Sequence, residues 1–199
     1  AARARSGRSD GAGPTLSLLS VSNIRPYERD PRRAPNVEYS RIKASIQCTG
    51  LDQPLVVTKR PGESEFLIHS GGNTRLRILQ ELFAETNDPQ FDKVPCVIRE
   101  WTAEADVLLG HLKENELRGS LSFLDKALAV VEMRRLMEEA TSGKSVTQTQ
   151  LAEFAERNGY SVSQGSISQM FYAVERLLPV LTRVLESGVG RPQISTIAA

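Results

Sequence analysis

Three stretches of this chain carry residue types that could do chemistry. The first is Gly71-Gly72-Asn73-Thr74-Arg75-Leu76-Arg77. Paired glycines let a backbone approach a bound group closely. A helix starting directly behind them would offer unpaired N–H groups and the positive end of its dipole, which suits an anion. Thr74 adds a hydroxyl, and Arg75 and Arg77 add charge. A phosphate fits this set. The run is neither GxGxxG nor a Walker loop, and a plain strand-to-helix turn with exposed arginines would be spelled the same way. The second stretch is Glu114-Asn115-Glu116-Leu117-Arg118. Its carboxylate and amide oxygens are the ligand type that Mg2+ takes, although a solvated helix end has the same composition. The third runs from Gln148 to Tyr172. A helix, a tight turn and a second helix opening with Ser and Gln match a helix-turn-helix. Ile167 and Phe171 would face inward. Ser166, Ser168, Gln169 and Tyr172 would face outward, toward base edges or phosphates. The second helix brings only Arg176 as a cation, so phosphate neutralisation would fall to Lys144, Arg157, Arg183 or Arg191. Plain helix packing is the competing reading.

The elements that must position these groups follow from periodicity. Leu16 to Val21 reads as a strand, followed by a polar loop from Asn23 to Pro35. Asn36 can cap a helix with Tyr39, Ile42 and Ile46 on one face, closed by Gly50. The period then switches to a β-hairpin, Pro54–Thr58 and Glu65–His69 around Pro61-Gly62. Behind the paired glycines, Leu76, Leu79, Leu82 and Phe83 form a helical stripe, broken at Asn87, Asp88 and Pro89. Val94 to Trp101 reads as a strand. Thr102 is the expected cap of a helix reaching Leu117. From Leu121 onward the pattern is helical, with Pro179 expected to close the helix that begins near Ser166.

Composition narrows the function classes. Forty per cent apolar and 25% charged residues suit a globular protein, and a formal net charge of +1 neither favours nor excludes nucleic acid. The first 33 residues carry seven arginines against three carboxylates, which fits either a solvated arm or an arm that touches phosphate. Residues 1–14 lack periodicity and are expected to be disordered. Cys48 and Cys96 form no CxxC pair, so a reducing cytoplasm is expected, with both thiols as buried small hydrophobes. His69 and His111 stand far apart, without an HExxH motif, so no dedicated transition-metal site is expected. No apolar run is long enough to span a membrane.

The order of these motifs resembles the ParB family of partition proteins from about Leu16 to Ala199. Tyr27-Glu-Arg-Asp-Pro-Arg-Arg33 resembles the family's early Arg-containing loop. Ile42-Lys-Ala-Ser-Ile46, followed by Gly50-Leu-Asp-Gln53-Pro54-Leu-Val-Val57, resembles its SI…G…QP.VV stretch. Gly72-Asn-Thr-Arg-Leu-Arg77 lines up with its Gly-Glu-Arg-Arg box, with Asn73 and Thr74 departing from it. Val94-Pro95 and Glu114-Asn115 with Arg118 match its VP strand and ENxxR box. The resemblance implies an α+β chain: a small mixed-sheet ParB/sulfiredoxin-like domain over residues 16–118 after a disordered arm at 1–15, then an all-α helix-turn-helix domain over 119–199. It implies CTP with Mg2+ and slow hydrolysis. Gln53 and Pro54 would lie near the base, and Gly71, Gly72, Thr74 and Arg75 would hold phosphates. Glu114 and Asn115 would sit at the metal, with Glu114 catalytic and Arg118 in support. The implied partners are double-stranded DNA at a palindromic site, a second copy in a homodimer and a ParA-type ATPase, at the nucleoid in the cytoplasm. The family's C-terminal dimerisation domain has no counterpart here, which suggests a truncated chain or a divergent branch from a plasmid or integrated conjugative element.

Two other readings use the same parts. One is an enzyme, either a ParB-like nuclease or a nucleotide-hydrolysing phosphotransferase, with Glu114, Glu116 and His69 as acid/base candidates. The other is a transcriptional regulator that binds an operator.

Overall fold

The computed structural model describes residues 15–119 and 121–198. The expected disordered arm, with Arg3, Arg5 and Arg8, lies outside them except for Thr15, which opens the first strand. The α/β half comprises β1 (Thr15–Ser20), a 3-10 turn (Val21–Asn23), β2 (Ile24–Arg25), α1 (Tyr39–Thr49), β3 (Leu55–Thr58), β4 (Phe66–Ile68), α2 (Asn73–Thr86), α3 (Pro89–Asp92), β5 (Lys93–Ile98) and α4 (Glu104–Leu117). The helical half comprises α5 (Phe123–Ala140), α6 (Gln148–Arg157), α7 (Gln164–Tyr172), a π turn (Ala173–Leu177), α8 (Leu178–Glu186) and α9 (Arg191–Ala198).

The five strands form one mixed sheet in the order β1-β5-β3-β4-β2. The hairpin pairs Val57 with Ile68 and Thr58 with Leu67, and β3 runs parallel to β5 with Leu55 beside Cys96. Alternation along the strands sends their side chains to two faces. On one face, Leu55, Val57, Ile68, Val94 and Cys96 bury against Ile46 of α1 and Leu76, Leu79 and Leu82 of α2. On the other, Leu67 joins Val107, Leu108, Leu109 and Leu112 of α4. That second cluster continues without a break into Val130 and Met133 of α5, Leu151 of α6, and Ile167 and Phe171 of α7. Each such side chain contributes about 1.5–3 kcal/mol when fully buried. The change from α/β to all-α therefore falls inside one continuous core.

Local chemistry sets the helix limits. Asn36 accepts the Glu38 N–H on its side chain at 3.0 Å and the Tyr39 N–H on its carbonyl at 3.0 Å, starting α1, and Gly50 ends it at φ 79°. Asn87 closes α2 in the left-handed region, and Asp88 then caps the single turn α3 with Pro89 in its first turn. Capping boxes open α5 (Ser122 with Asp125) and α6 (Thr147 with Gln150).

Three expectations need correction. Helix α4 is preceded by Ala103 in extended conformation, not by a Thr102 cap. Pro179 does not close a helix. It sits in the first turn of α8, where a missing N–H costs nothing, and the π turn upstream carries the chain into it. Cys48 lies exposed on α1, while Cys96 is buried in the sheet. The α1 stripe turns Tyr39, Ile42 and Ile46 inward and leaves Cys48 off that face.

Candidate anion-binding site and helix pair

Strand β4 delivers the chain to Gly71 and Gly72, both in left-handed conformation at φ 54° and 101°. No side chain caps the first turn of α2 behind them. The last turn of α4 packs across this junction. A β-carbon at Gly71 would lie 2.3 Å from Glu114 Cγ, so only glycine permits this approach. Here the resemblance's phosphate residues and its ENxxR residues meet. A cavity of about 40 Å³ is lined by Gly71, Gly72, Thr74, Arg75, Glu114, Asn115 and Arg118, together with Asp30, Arg32 and Asn73. Next to it, sharing Arg75 and Arg118, a cleft of about 410 Å³ runs over Gln53, Asp52, Ser45 and Arg41. Pro54 borders neither space and sits half-buried before β3. Arg77 is exposed on α2 and borders neither space.

Arg75 Nη1 donates to the Gln53 carbonyl at 3.0 Å, fixing α2 to the loop before β3. Its Nε is buried with no hydrogen-bond partner. Burial, with Arg118 nearby, lowers its pKa below the usual arginine value. Arg118 donates to Glu114 Oε1 at 2.6 Å. Three guanidiniums thus face two carboxylates, Asp30 and Glu114, around the uncapped helix end. An orphaned guanidinium nitrogen and a glycine cradle fit a phosphate-type anion. The 40 Å³ space holds about one water, so a polyphosphate must reach outward into the larger cleft.

Asn73 departs from the family box, and the structure gives it work that the sequence does not reveal. It is buried, and its Oδ1 accepts the Tyr27 N–H at 2.9 Å. Its Nδ2 donates to the Tyr27 carbonyl at 3.1 Å and to Asp30 Oδ2 at 2.8 Å. Asn115 Nδ2 donates to the other Asp30 oxygen at 2.9 Å. Asp30 is a site residue that sequence reasoning missed. Its one visible signal was its place in the Arg-containing loop.

That loop is tied down by charge. Arg25 pairs with Glu28 and Glu63, Arg29 with Glu132 of α5, and Arg33 with Glu186 of α8 at 3.8 Å. These described arginines are already matched with carboxylates, which weakens the phosphate-contacting reading of this part of the arm.

Two of the three acid/base candidates share a space, and the third is set apart. Glu114 and His69 border a cleft of about 640 Å³ with Asp106, Lys113 and Asn158. Burial, with Arg99 adding to it, pushes His69 down to about 4. Glu116 instead pairs with Lys126 at 2.5 Å.

In the helix pair, Asn158 and Gly159 make the turn, Gly159 at φ 73°, and the Ser163 side chain caps α7. Ile167 and Phe171 are buried. Ser168 and Gln164 are exposed, and Ser166 is half-buried with its hydroxyl 2.9 Å from that of Ser163. Gln169 is half-buried and already engaged. Tyr172 turns partly inward, against the cluster of Leu124, Ala173 and Leu177. Helix α7 packs against both α5 and α6, which leaves it a narrow free face around Ser168.

The family model of the ParB N-terminal domain matches residues 6–115. Two structures of a pNOB8-like ParB N-domain share the fold at TM-scores of 0.56 and 0.57, each at 11% identity. The alignments cover 82% and 85% of this chain and 70% and 68% of theirs. The C-terminally truncated chromosome-partitioning protein ParB from Caulobacter crescentus, complexed with CTP-gamma-S, is 21% identical, covering 91% of this chain and 96% of its own, at a TM-score of 0.43. Among curated proteins nothing matches.

Proposed function

The chain belongs to the ParB N-terminal domain family, and on that premise we propose a DNA-binding partition protein whose α/β half takes a nucleoside triphosphate and whose α6–α7 pair grips duplex DNA. The observation that carries this reading is the uncapped end of α2, ringed by Arg32, Arg75 and Arg118 and crossed by α4, whose buried residues share one core with α7. A ligand at the first can thereby bias the second.

The roles proposed here carry over from the family resemblance, and the geometry is compatible with them. Gln53 and the adjoining cleft receive the nucleoside, with Pro54 holding the start of β3. Gly71 and Gly72 give the backbone its close approach, and Thr74 and Arg75 hold phosphate oxygens. Glu114 and Asn115 are the oxygen ligands for Mg2+, and Glu114 is the residue for slow hydrolysis. Arg118 holds Glu114 in place. By resemblance the nucleotide is CTP, which with Mg2+ supplies a charged, hydrolysable triphosphate that separates two states of the protein. Ser168 and Gln164 lead the free face of α7, with Ser166 and Gln169 beside them and Tyr172 as packing. A homodimer on a palindromic site, a ParA-type ATPase partner and residence at the nucleoid complete the proposal.

Calorimetry with each of the four NTPs, with and without Mg2+, tests the module. Selective CTP binding that Arg75→Ala abolishes is the expected result. Indifference among NTPs, or full binding by that variant, would count against it. Footprinting on a short inverted repeat tests the helix pair, with protection lost in Ser168→Ala or Gln169→Ala.

A further inference from the structure

We propose that the groove along the open side of α4 seats the chain's own arginine-rich leading segment, residues 1–14, which lies outside the described residues. The groove is the cleft of about 640 Å³ that His69 borders. Asp106, Leu109, Lys113 and Leu117 recur along it at helical spacing, so one side of α4 forms its floor over about 16 Å. Arg99 and Glu100, between β5 and α4, border it, and Asn158 of the helix pair borders it beside Lys113.

The sheet register aims the segment at this groove. Strand β1 runs antiparallel to β5 with Thr15 opposite Ile98. The chain ahead of Thr15 is therefore directed past Arg99 and Glu100. Arg8 stands seven residues ahead of Thr15 and Arg3 twelve, a reach of up to about 23 Å and about 40 Å. Both exceed the length of the groove. The order of charge also matches. Counting back from Thr15, Asp10 comes first, then Arg8, Arg5 and Arg3. The groove sets Arg99 at the exit, with the carboxylates of Glu100, Asp106 and Glu114 along it. Glu100 and Asp106 stand in no ion pair among the described residues, and Glu114 meets Arg118. Lys113, the other cation, donates to the Asn158 carbonyl at 2.7 Å. Arginines of the next loop already behave this way, since Arg25, Arg29 and Arg33 each meet a carboxylate of this chain. Carboxylates at the exit would repel a DNA phosphate, which favours the groove over a duplex as the seat.

The test is limited trypsin digestion of the full chain without nucleotide, with cutting after Arg3, Arg5 and Arg8 timed by mass spectrometry. The double variant Glu100→Gln with Asp106→Asn should be cut there about threefold faster or more, the loss of two partly exposed ion pairs. Arg5→Gln should speed cutting after Arg8 in the same way. Glu156→Gln, an exposed carboxylate on α6 outside the groove, should be cut as wild type. Circular dichroism shows that each variant is folded. In 1 M salt, where the Debye length is about 3 Å, wild type and variants should converge. Equal cutting of wild type and both groove-directed variants at low salt would overturn the proposal. Protection that rises with protein concentration would overturn it in favour of a second copy's segment in the groove. Protection that appears only with duplex DNA, and is indifferent to Glu100 and Asp106, would overturn it in favour of a phosphate-contacting arm.

Discussion

Gly71 has no room for a methyl group, and its backbone occupies a region that side chains avoid. With φ at 54° and Glu114 Cγ 2.3 Å from a notional β-carbon, Gly71→Ala must push α4 away from the cradle. The expected loss is about 1–3 kcal/mol in urea unfolding. Gly165, with open space around it inside α7, is the control. There alanine should leave stability unchanged or raise it by up to about 1 kcal/mol. A second residue-scale prediction concerns His69. Burial, then Arg99 and His111, hold its pKa down at about 4, while an unfolded histidine titrates near 6.5. Between those values the unfolded chain binds the extra proton, so stability falls as pH drops from about 6.5 toward 4. His111, pushed down chiefly by burial, acts in the same direction. Glu63 contributes in a lower window, since Arg25 holds it below 4.5 and its stabilisation is lost only as pH falls below that value. Comparing the pH profiles of wild type and His69→Gln isolates the first effect, and parallel profiles from pH 7 to 4 would contradict it.

Helix α6 depends on its capping box. The Gln150 N–H reaches Thr147 Oγ1 at 3.2 Å, and the Thr147 N–H reaches Gln150 Oε1 at 2.9 Å. Thr147→Ala removes one arm and should cost about 1 kcal/mol, seen as a lower urea midpoint at unchanged slope. At this scale much of the fold is legible from residue order. The switch from 3–4 spacing to alternation gives the hairpin, Gly50 and Asn87 stop their helices, and the family resemblance implies one shared site for the Gly-Gly and Glu114-Asn115 motifs. The rest is written in distances along the chain that periodicity does not see. Asp30 meets its two amides across 43 and 85 residues. Tyr172 turns inward because α5 returns over α7, which nothing between residues 164 and 172 announces. The π turn before Pro179 also escapes a pattern that treats proline only as a stop.

At the scale of the whole molecule, α4 belongs to both halves. Val107, Leu108 and Leu112 pack against the sheet through Leu67 and against Val130, Met133 and Phe171 of the helical half. Two surface ties reinforce the junction: Arg29 with Glu132, and Lys113 donating to the Asn158 carbonyl at 2.7 Å. Partly exposed pairs of this kind add little, so the apolar seam does most to hold the halves together. Removing α5 to α9 would strip one side of α4 and expose those residues to water, while the cluster under α1 and α2 would remain intact. A fragment of residues 1–118 is therefore expected to keep strand and helix signals in far-UV circular dichroism but lose fixed packing around Trp101, which borders the shared cluster. Its near-UV signal should collapse, it should bind a hydrophobic dye, and its urea transition should broaden. The same coupling predicts that Met133→Ala in α5, which opens a cavity beneath α4, costs about 2–5 kcal/mol and lowers the midpoint for both halves together. A fragment that melts cooperatively with a native near-UV spectrum would show that the seam is an interface between independent domains, and would remove the route proposed for coupling the cradle to the helix pair.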